Sequence, residues 1–237
     1  MNYSIPLLLA LGVTPAIADG KCVPKHAAAP PPAEAAPATP APPARSWPAE
    51  KPDAKHVDEL RASQPESFRT NRAPPGTSER YGHAETIVHA PAAVVLGHAK
   101  DYAHYRELAP RRFKAASVLD KTPTYTDIYL EVPMVGGLVV LWQVLRFAPV
   151  ADMGQAIKRV EGVLVKGNVQ NTHVVFDIIP LGPKETLIQG DLLIALPFAA
   201  PQDKIDEELR DAMADALRGI RKASEASAAA PANPPKS

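Results

Sequence analysis

The sequence predicts an α+β fold in which a curved antiparallel sheet of about seven strands wraps one long C-terminal helix, with two short helices after the first strand. Three observations predict it. Residues 124–132 alternate in character, with Thr126, Ile128, Leu130 and Val132 on one face and Tyr125, Asp127, Tyr129 and Glu131 on the other. Period two is the pattern of a strand with one buried face. The β-rich runs after residue 111 are joined by short turns, and short turns connect antiparallel neighbours. Finally, Ile205, Leu209, Met213, Ala216, Leu217 and Ile220 recur at three and four residues behind Pro201, as on an amphipathic helix of about five turns.

Residues 83–89 form the first β-like run, and Ala90-Pro91 ends it. Pro91 suits a first helical position because its missing N–H is not needed there. Residues 92–97 and 101–108 read as two short helices with a break near Gly97. Strands are expected over 112–120, 124–132, 138–147, 155–161, 171–179 and 184–196. Thr122-Pro123, the glycines at 136–137 and Gly182-Pro183 supply turns, and Pro197 stops the last strand. In the C-terminal helix, Asp203, Asp206, Glu207 and Glu208 sit at its positive end and Arg218, Arg221 and Lys222 at its negative end. Burying its large apolar side chains is worth roughly 1.5–3 kcal/mol each before opposing terms. Such a helix must lie on something apolar, and the strands offer it a face.

The folded domain is expected over residues 81–223 of a 237-residue chain. The first 18 residues carry an apolar run ending in Ala16-Ile17-Ala18, the pattern of a secretory signal peptide, although no Lys or Arg precedes the run. Residues 19–80 form an Ala/Pro-rich linker and then a polar loop; 69–80 in particular reads as loop. The 27 prolines, about twice the usual share, are concentrated toward the N-terminus. A Pro/Ala segment cannot bury enough apolar surface to offset its ordering entropy, so it is expected to act as a disordered, extended spacer. Residues 51–68 are polar, with at most a turn or two of helix near 55–63, and 224–237 are expected to fray. The single cysteine, Cys22, excludes an internal disulfide, and Asp19-Gly20-Lys21 before it is a poor lipid-attachment box. Formal net charge is zero, from 26 basic and 26 acidic residues. That balance gives no footprint for nucleic acid or an anionic surface.

This element order, headed by HAPAAVVLGHAKDYAHYRELAP, resembles the START-like superfamily of polyketide cyclases and lipid-transfer proteins, whose fold is the helix-grip. The likeness is nearest to the coenzyme Q-binding subgroup. Ala90-Pro91, Asp101-Tyr102, Tyr105 and Pro110 stand where that subgroup has an Ala-Pro ending strand one, an Asp-Tyr, an aromatic and a proline before strand two. The chain departs from many relatives in lacking a Trp in the sixth strand, near Thr172 to Val174. The resemblance implies a cavity between the sheet and the C-terminal helix. The residues expected to bind a ligand there are Tyr105, Ile128, Leu130, Met134, Leu141, Trp142, Phe176, Leu192, Met213 and Leu217. Val139, Val174 and Ile194 share the same strand faces. The competing reading is a solid core in which these side chains interdigitate.

No catalytic constellation emerges. His83, Glu85 and His89 share a strand face, but their spacing matches no zinc motif. Asp127 and Glu131 read as a solvated outer face, and Arg146 beside Trp142 as an exterior pair. There is no Gly-rich phosphate loop and no G-x-S-x-G elbow. The expectation is therefore an exported, periplasmic or secreted, binding protein for a small hydrophobic ligand such as a quinone or fatty acyl group. It carries no cofactor, no metal and no catalytic residue, binds no nucleic acid, and has no transmembrane span once the signal is cleaved. Any protein partner is unknown. One alternative is a cyclase- or dehydratase-like enzyme using Tyr105 with Arg146 or His173. Another is a ligand-free interaction module on the spacer.

Overall fold

Strand β2 (Tyr81–Val88) is buried along its whole length, because it is covered on both sides. Ala84 and Val88 point into the main core beneath the C-terminal helix. Ile87, of opposite parity, packs with Val57 and Leu60 of helix α1 (Ala54–Ala62) on the outer face. The structure is a computed structural model that describes residues 48–230 apart from 75, 76, 78 and 135–138. The signal-peptide, spacer and Cys22 readings lie outside the described residues, as do the last seven positions of the tail.

The order of elements is α1, β1 (Phe68–Arg72), β2, α2 (Ala92–Ala99), a 3-10 turn (Tyr102–His104), α3 (Tyr105–Leu108), β3 (Ala115–Lys121), β4 (Thr126–Met134), β5 (Val139–Phe147), β6 (Ala151–Asp152), β7 (Lys158–Gly167), β8 (Asn171–Gly182), β9 (Glu185–Ala195) and α4 (Gln202–Ala229). The strands form one sheet in the order β1-β2-β9-β8-β7-β5-β4-β3, with the two-residue β6 paired to β7. Every pairing is antiparallel. The seven expected strands are all present, joined by β1 and β6. Helix α4 lies across one face over β1, β2 and β9, and α2 and α3 flank it. Leu209, Met213, Leu217 and Ile220 bury its apolar stripe, as the spacing requires.

Three expectations need correction. Residues 69–72, read as loop, belong to strand β1. An edge strand that is half exposed needs no apolar alternation, so its residues carry no periodic signal. It is held instead by its ladder to β2 and by side chains: Arg69 pairs with Asp211 at 2.6 Å, and Asn71 donates to the Asp206 carbonyl at 3.2 Å. Helix α1 forms where a short helix near 55–63 is expected, with Asp53 capping it by accepting from the His56 N–H at 2.8 Å. Helix α4 continues past 223 to Ala229 rather than fraying, and Ser224 is fully buried. Its last turns are docked: Glu225 accepts the His89 N–H at 3.1 Å, and Ser227 Oγ bonds His98 Nε2 at 2.9 Å. Finally, the strand expected from 112 begins at Ala115, so residues 109–114 form a connection over the helix side of the sheet.

Candidate functional site

The two faces of the sheet are chemically different, and register decides how. On the helix side, β5 contributes Leu141, Gln143, Leu145 and Phe147, all buried, while the alternate residues are half exposed. Ile128 and Leu130 of β4, Val174 and Phe176 of β8, and Ile188 of β9 turn the same way, and all belong to the core under α4. Packing is not complete there. Between these strands, α3, the 109–114 connection and α4 lies a cavity of about 100 Å³, lined almost wholly by apolar side chains.

Five of the ten expected ligand-binding residues line this cavity: Tyr105, Leu130, Phe176, Leu192 and Met213. Ile128 and Leu217 are fully buried in the core around it but do not reach its surface. Leu141 turns to the same side and packs instead in a neighbouring cluster with Val169, Ile194 and Leu209. Trp142 is a correction to its place among the ligand-binding residues, while its exterior position agrees with the reading of it as outward-facing. It stands one residue out of phase with Leu141 and Gln143, and therefore on the half-exposed outer face. The side chain of Met134 lies outside the described residues. The sequence reading missed Leu108, Arg112 and Phe113, because 112–113 resemble the start of a strand, and Gln143, Thr172 and Ala216, because they are polar or small.

Tyr105 anchors an aromatic wall. Its ring meets Phe147 edge-on at 6.2 Å and stacks with Phe113 at 6.4 Å, and Tyr102 lies 4.4 Å from Phe147. Its hydroxyl donates to the Ala99 carbonyl at 2.7 Å, and burial pushes its pKa well above the usual phenol range. The phenol therefore stays neutral and is already committed. Gln143 and Thr172 place a polar pair on the lining, with Thr172 Oγ1 donating to Gln143 Oε1 at 2.6 Å. At the rim, Arg112 ties the 109–114 connection to α4 by bonds to Asp215 Oδ2 at 2.7 Å and Glu208 Oε2 at 3.0 Å.

The polar pairs suggested for catalysis do not form. Tyr105 faces the cavity, while Arg146 and His173 stand on the outer face. Arg146 grips Asp127 with two bonds of 2.8 Å and lies 3.9 Å over the Tyr125 ring. Asp127 is accordingly buried in an ion pair rather than solvated. His173 Nδ1 bonds the Tyr81 hydroxyl at 2.8 Å and its Nε2 bonds Glu161 at 2.8 Å.

The outer face also holds a chain of charges that fastens α1. His56 Nε2 meets Glu85 at 2.7 Å, Glu85 meets His83 Nε2 at 2.7 Å, and His83 Nδ1 meets Asp191 at 2.9 Å. Arg72 completes it by a two-pronged bond to Asp191. Burial alone would lower the His83 pKa, but bonds to Asp191 and Glu85 outweigh it and hold the pKa above the ordinary 6.5. Burial alone would raise the Glu85 pKa, but bonds to His83 and His56 hold it below the ordinary 4.5. His83 thus binds its proton more tightly when folded, so its contribution is complete below 6.5 and fades as pH rises through the raised value. Glu85 contributes fully above 4.5, and its share fades as pH falls through the lowered value. Thermal melts across pH should therefore show this network contributing most between 4.5 and 6.5. A His83→Gln variant should lose the alkaline decline from that window; an unchanged pH profile would refute the assignment.

No family model matches the sequence, and no curated protein is similar to it in sequence. Its backbone is similar to solved structures. Human StAR-related lipid transfer protein 5 superposes with a TM-score of 0.56 at 13% identity, over 73% of this chain and 93% of that one. A STAR-related lipid transfer protein from Xanthomonas axonopodis gives 0.55 at 15% identity, over 66% and 97%. A START superfamily protein from Mycobacterium smegmatis gives 0.50 at 20% identity, over 62% and 96%. At such identities the likeness speaks for the fold, and the fold is START-like helix-grip.

Proposed function

We propose that this chain is an exported binding protein that holds a hydrophobic, lipid-like ligand, such as a quinone or fatty acyl group, between the sheet and α4. One observation carries the reading: the apolar cavity of about 100 Å³ under α4. Left empty, it would cost about 2 kcal/mol at ~24 cal/mol per Å³. A void walled by Leu, Val and Phe side chains gives water few partners, so an apolar occupant is the natural way to recover that energy. Met213 supports the reading, because an unbranched thioether adapts to irregular shapes. The lipid-transfer proteins that share the backbone have names in keeping with it. The apolar run within residues 1–18 motivates the exported part.

The test has two arms. Protein purified from its native host is extracted with organic solvent, and the extract is examined by mass spectrometry. The same protein is titrated with a fluorescent fatty acid, alongside an Ala216→Trp variant that fills the cavity from α4. Recovery of an apolar molecule is expected, together with saturable binding that weakens at least ten-fold in the variant while its melting temperature is retained. An empty extract and no fluorescent binding would remove this reading and leave the ligand-free interaction module in its place.

A further inference from the structure

The cavity has a second compartment beside it. A groove of about 820 Å³ runs over the surface between the 98–112 region and the second half of α4. Leu108, Ala109 and Arg112 line both spaces, so the groove and the cavity share one wall. The cavity alone accommodates a ring or a short alkyl stretch, since sites for whole small molecules run to roughly 300–1,000 Å³. The remainder of a lipid-like ligand must extend past that wall, and what it would meet there is charged.

The groove carries Arg111, Arg112, Arg218 and Lys222 against Asp101, Glu107 and Asp215. The carboxylates are mostly committed. Asp215 takes both Arg112, at 2.7 Å, and Arg218. Asp101 takes His104 at 2.8 Å. Arg111 and Lys222 are exposed and have no hydrogen-bond or ion-pair partner among the described residues. Arg111 and Lys222 are thus the groove's two unpartnered cations among the described residues, set against Glu107 and against Asp101, whose partner His104 carries charge only when protonated. Arg112 stands in the shared wall, and its ion-pair partners among the described residues are Asp215 and Glu208, two carboxylates that another anion could replace.

Resting on the binding-protein reading, we infer that the ligand is an amphipath with an anionic group. Its apolar part enters the cavity, and its carboxylate or phosphate lies in the groove against Arg111, Arg112, Arg218 and Lys222. Taking Arg112 from Asp215 and Glu208 couples the ligand's charge to passage through the wall.

Calorimetric titration of the full chain with decanoate, decan-1-ol and inorganic phosphate at low salt tests this. Decanoate should bind at least about ten-fold tighter than decan-1-ol, and that advantage should shrink as salt is added. In an Arg111→Glu/Lys222→Glu double variant, changed only at exposed positions, the melting temperature should hold and the advantage should vanish. Equal binding of the two decyl compounds by the parent chain overturns the inference, as does a preference that survives the charge reversal. Phosphate bound as tightly as decanoate would make the groove a free-anion site and overturn it too. If neither decyl compound binds, the failure is that of the binding-protein reading itself.

Discussion

An Arg159→Met variant should lose about 3–5 kcal/mol of folding stability, read by urea denaturation. Arg159 and Asp177 face each other directly across β7 and β8 on the outer face of the sheet. Their side chains are 1% and 2% exposed, and the guanidinium grips the carboxylate with two bonds of 2.7 Å. Removing the cation leaves a buried carboxylate whose desolvation is no longer offset, and that penalty is larger than the net worth of the pair. For a domain of this size the melting temperature should fall by about 10 °C. An Arg159→Met/Asp177→Leu double variant should recover most of the loss, because apolar side chains of similar volume often replace a buried ion pair without penalty. The coupling energy from the double-mutant cycle should therefore be large. A single variant as stable as the parent would mean that Asp177 is reached by water and that the outer face is not sealed.

The same pair shows where the sequence stops being legible. Arg159 opposite Asp177, His83 opposite Asp191 and Arg146 opposite Asp127 are all directly facing residues on neighbouring strands. Each looks alone like an exposed charge at an out-facing position, and Asp127 by itself reads as solvated. Only register brings the partners together, and register is a property of two strands that neither one states. The helix side is different. Its apolar residues need only parity, which the alternation of β4 and the spacing of α4 supply. Hence the sheet, the long helix and their order are readable, as are five residues of the cavity. Trp142 is read by sequence both as cavity lining and as exterior, because a run of apolar residues in β5 hides its phase, and its parity turns it outward. Strand β1 escapes notice for a related reason: RTNR has the composition of a loop, and pairing with β2 makes it a strand. The connection over the cavity is harder still, since Leu108, Arg112 and Phe113 meet there through the path of a turn rather than through any period.

Gly82→Ala is the sharpest test of how α4 sits on the sheet. In a strand, alanine should otherwise be the better residue, since glycine loses more conformational freedom on folding. Any loss must therefore come from contact. A methyl group at Gly82 would lie 2.2 Å from the Leu209 carbonyl carbon and 2.4 Å from the Arg210 nitrogen, both backbone atoms of α4. Neither can rotate aside, so the helix must lift. Lifting it strains the bonds that pin it here, from Arg210 to Asn71 and from Asn71 to the Asp206 carbonyl. Overpacking of this kind costs about 1–3 kcal/mol, or more where backbone must move, and the melting temperature should fall by several degrees. Ligand binding should weaken with it, because Leu209 and Met213 form the α4 wall of the cavity. Gly190→Ala is the matched comparison. There the new methyl meets Met213 Sδ at 2.2 Å, the far end of a flexible side chain that can swing into the cavity. That variant should keep most of its stability and lose cavity volume instead. If Gly82→Ala melts like the parent chain, α4 does not rest backbone to backbone on β2, and the room beneath it has a different shape.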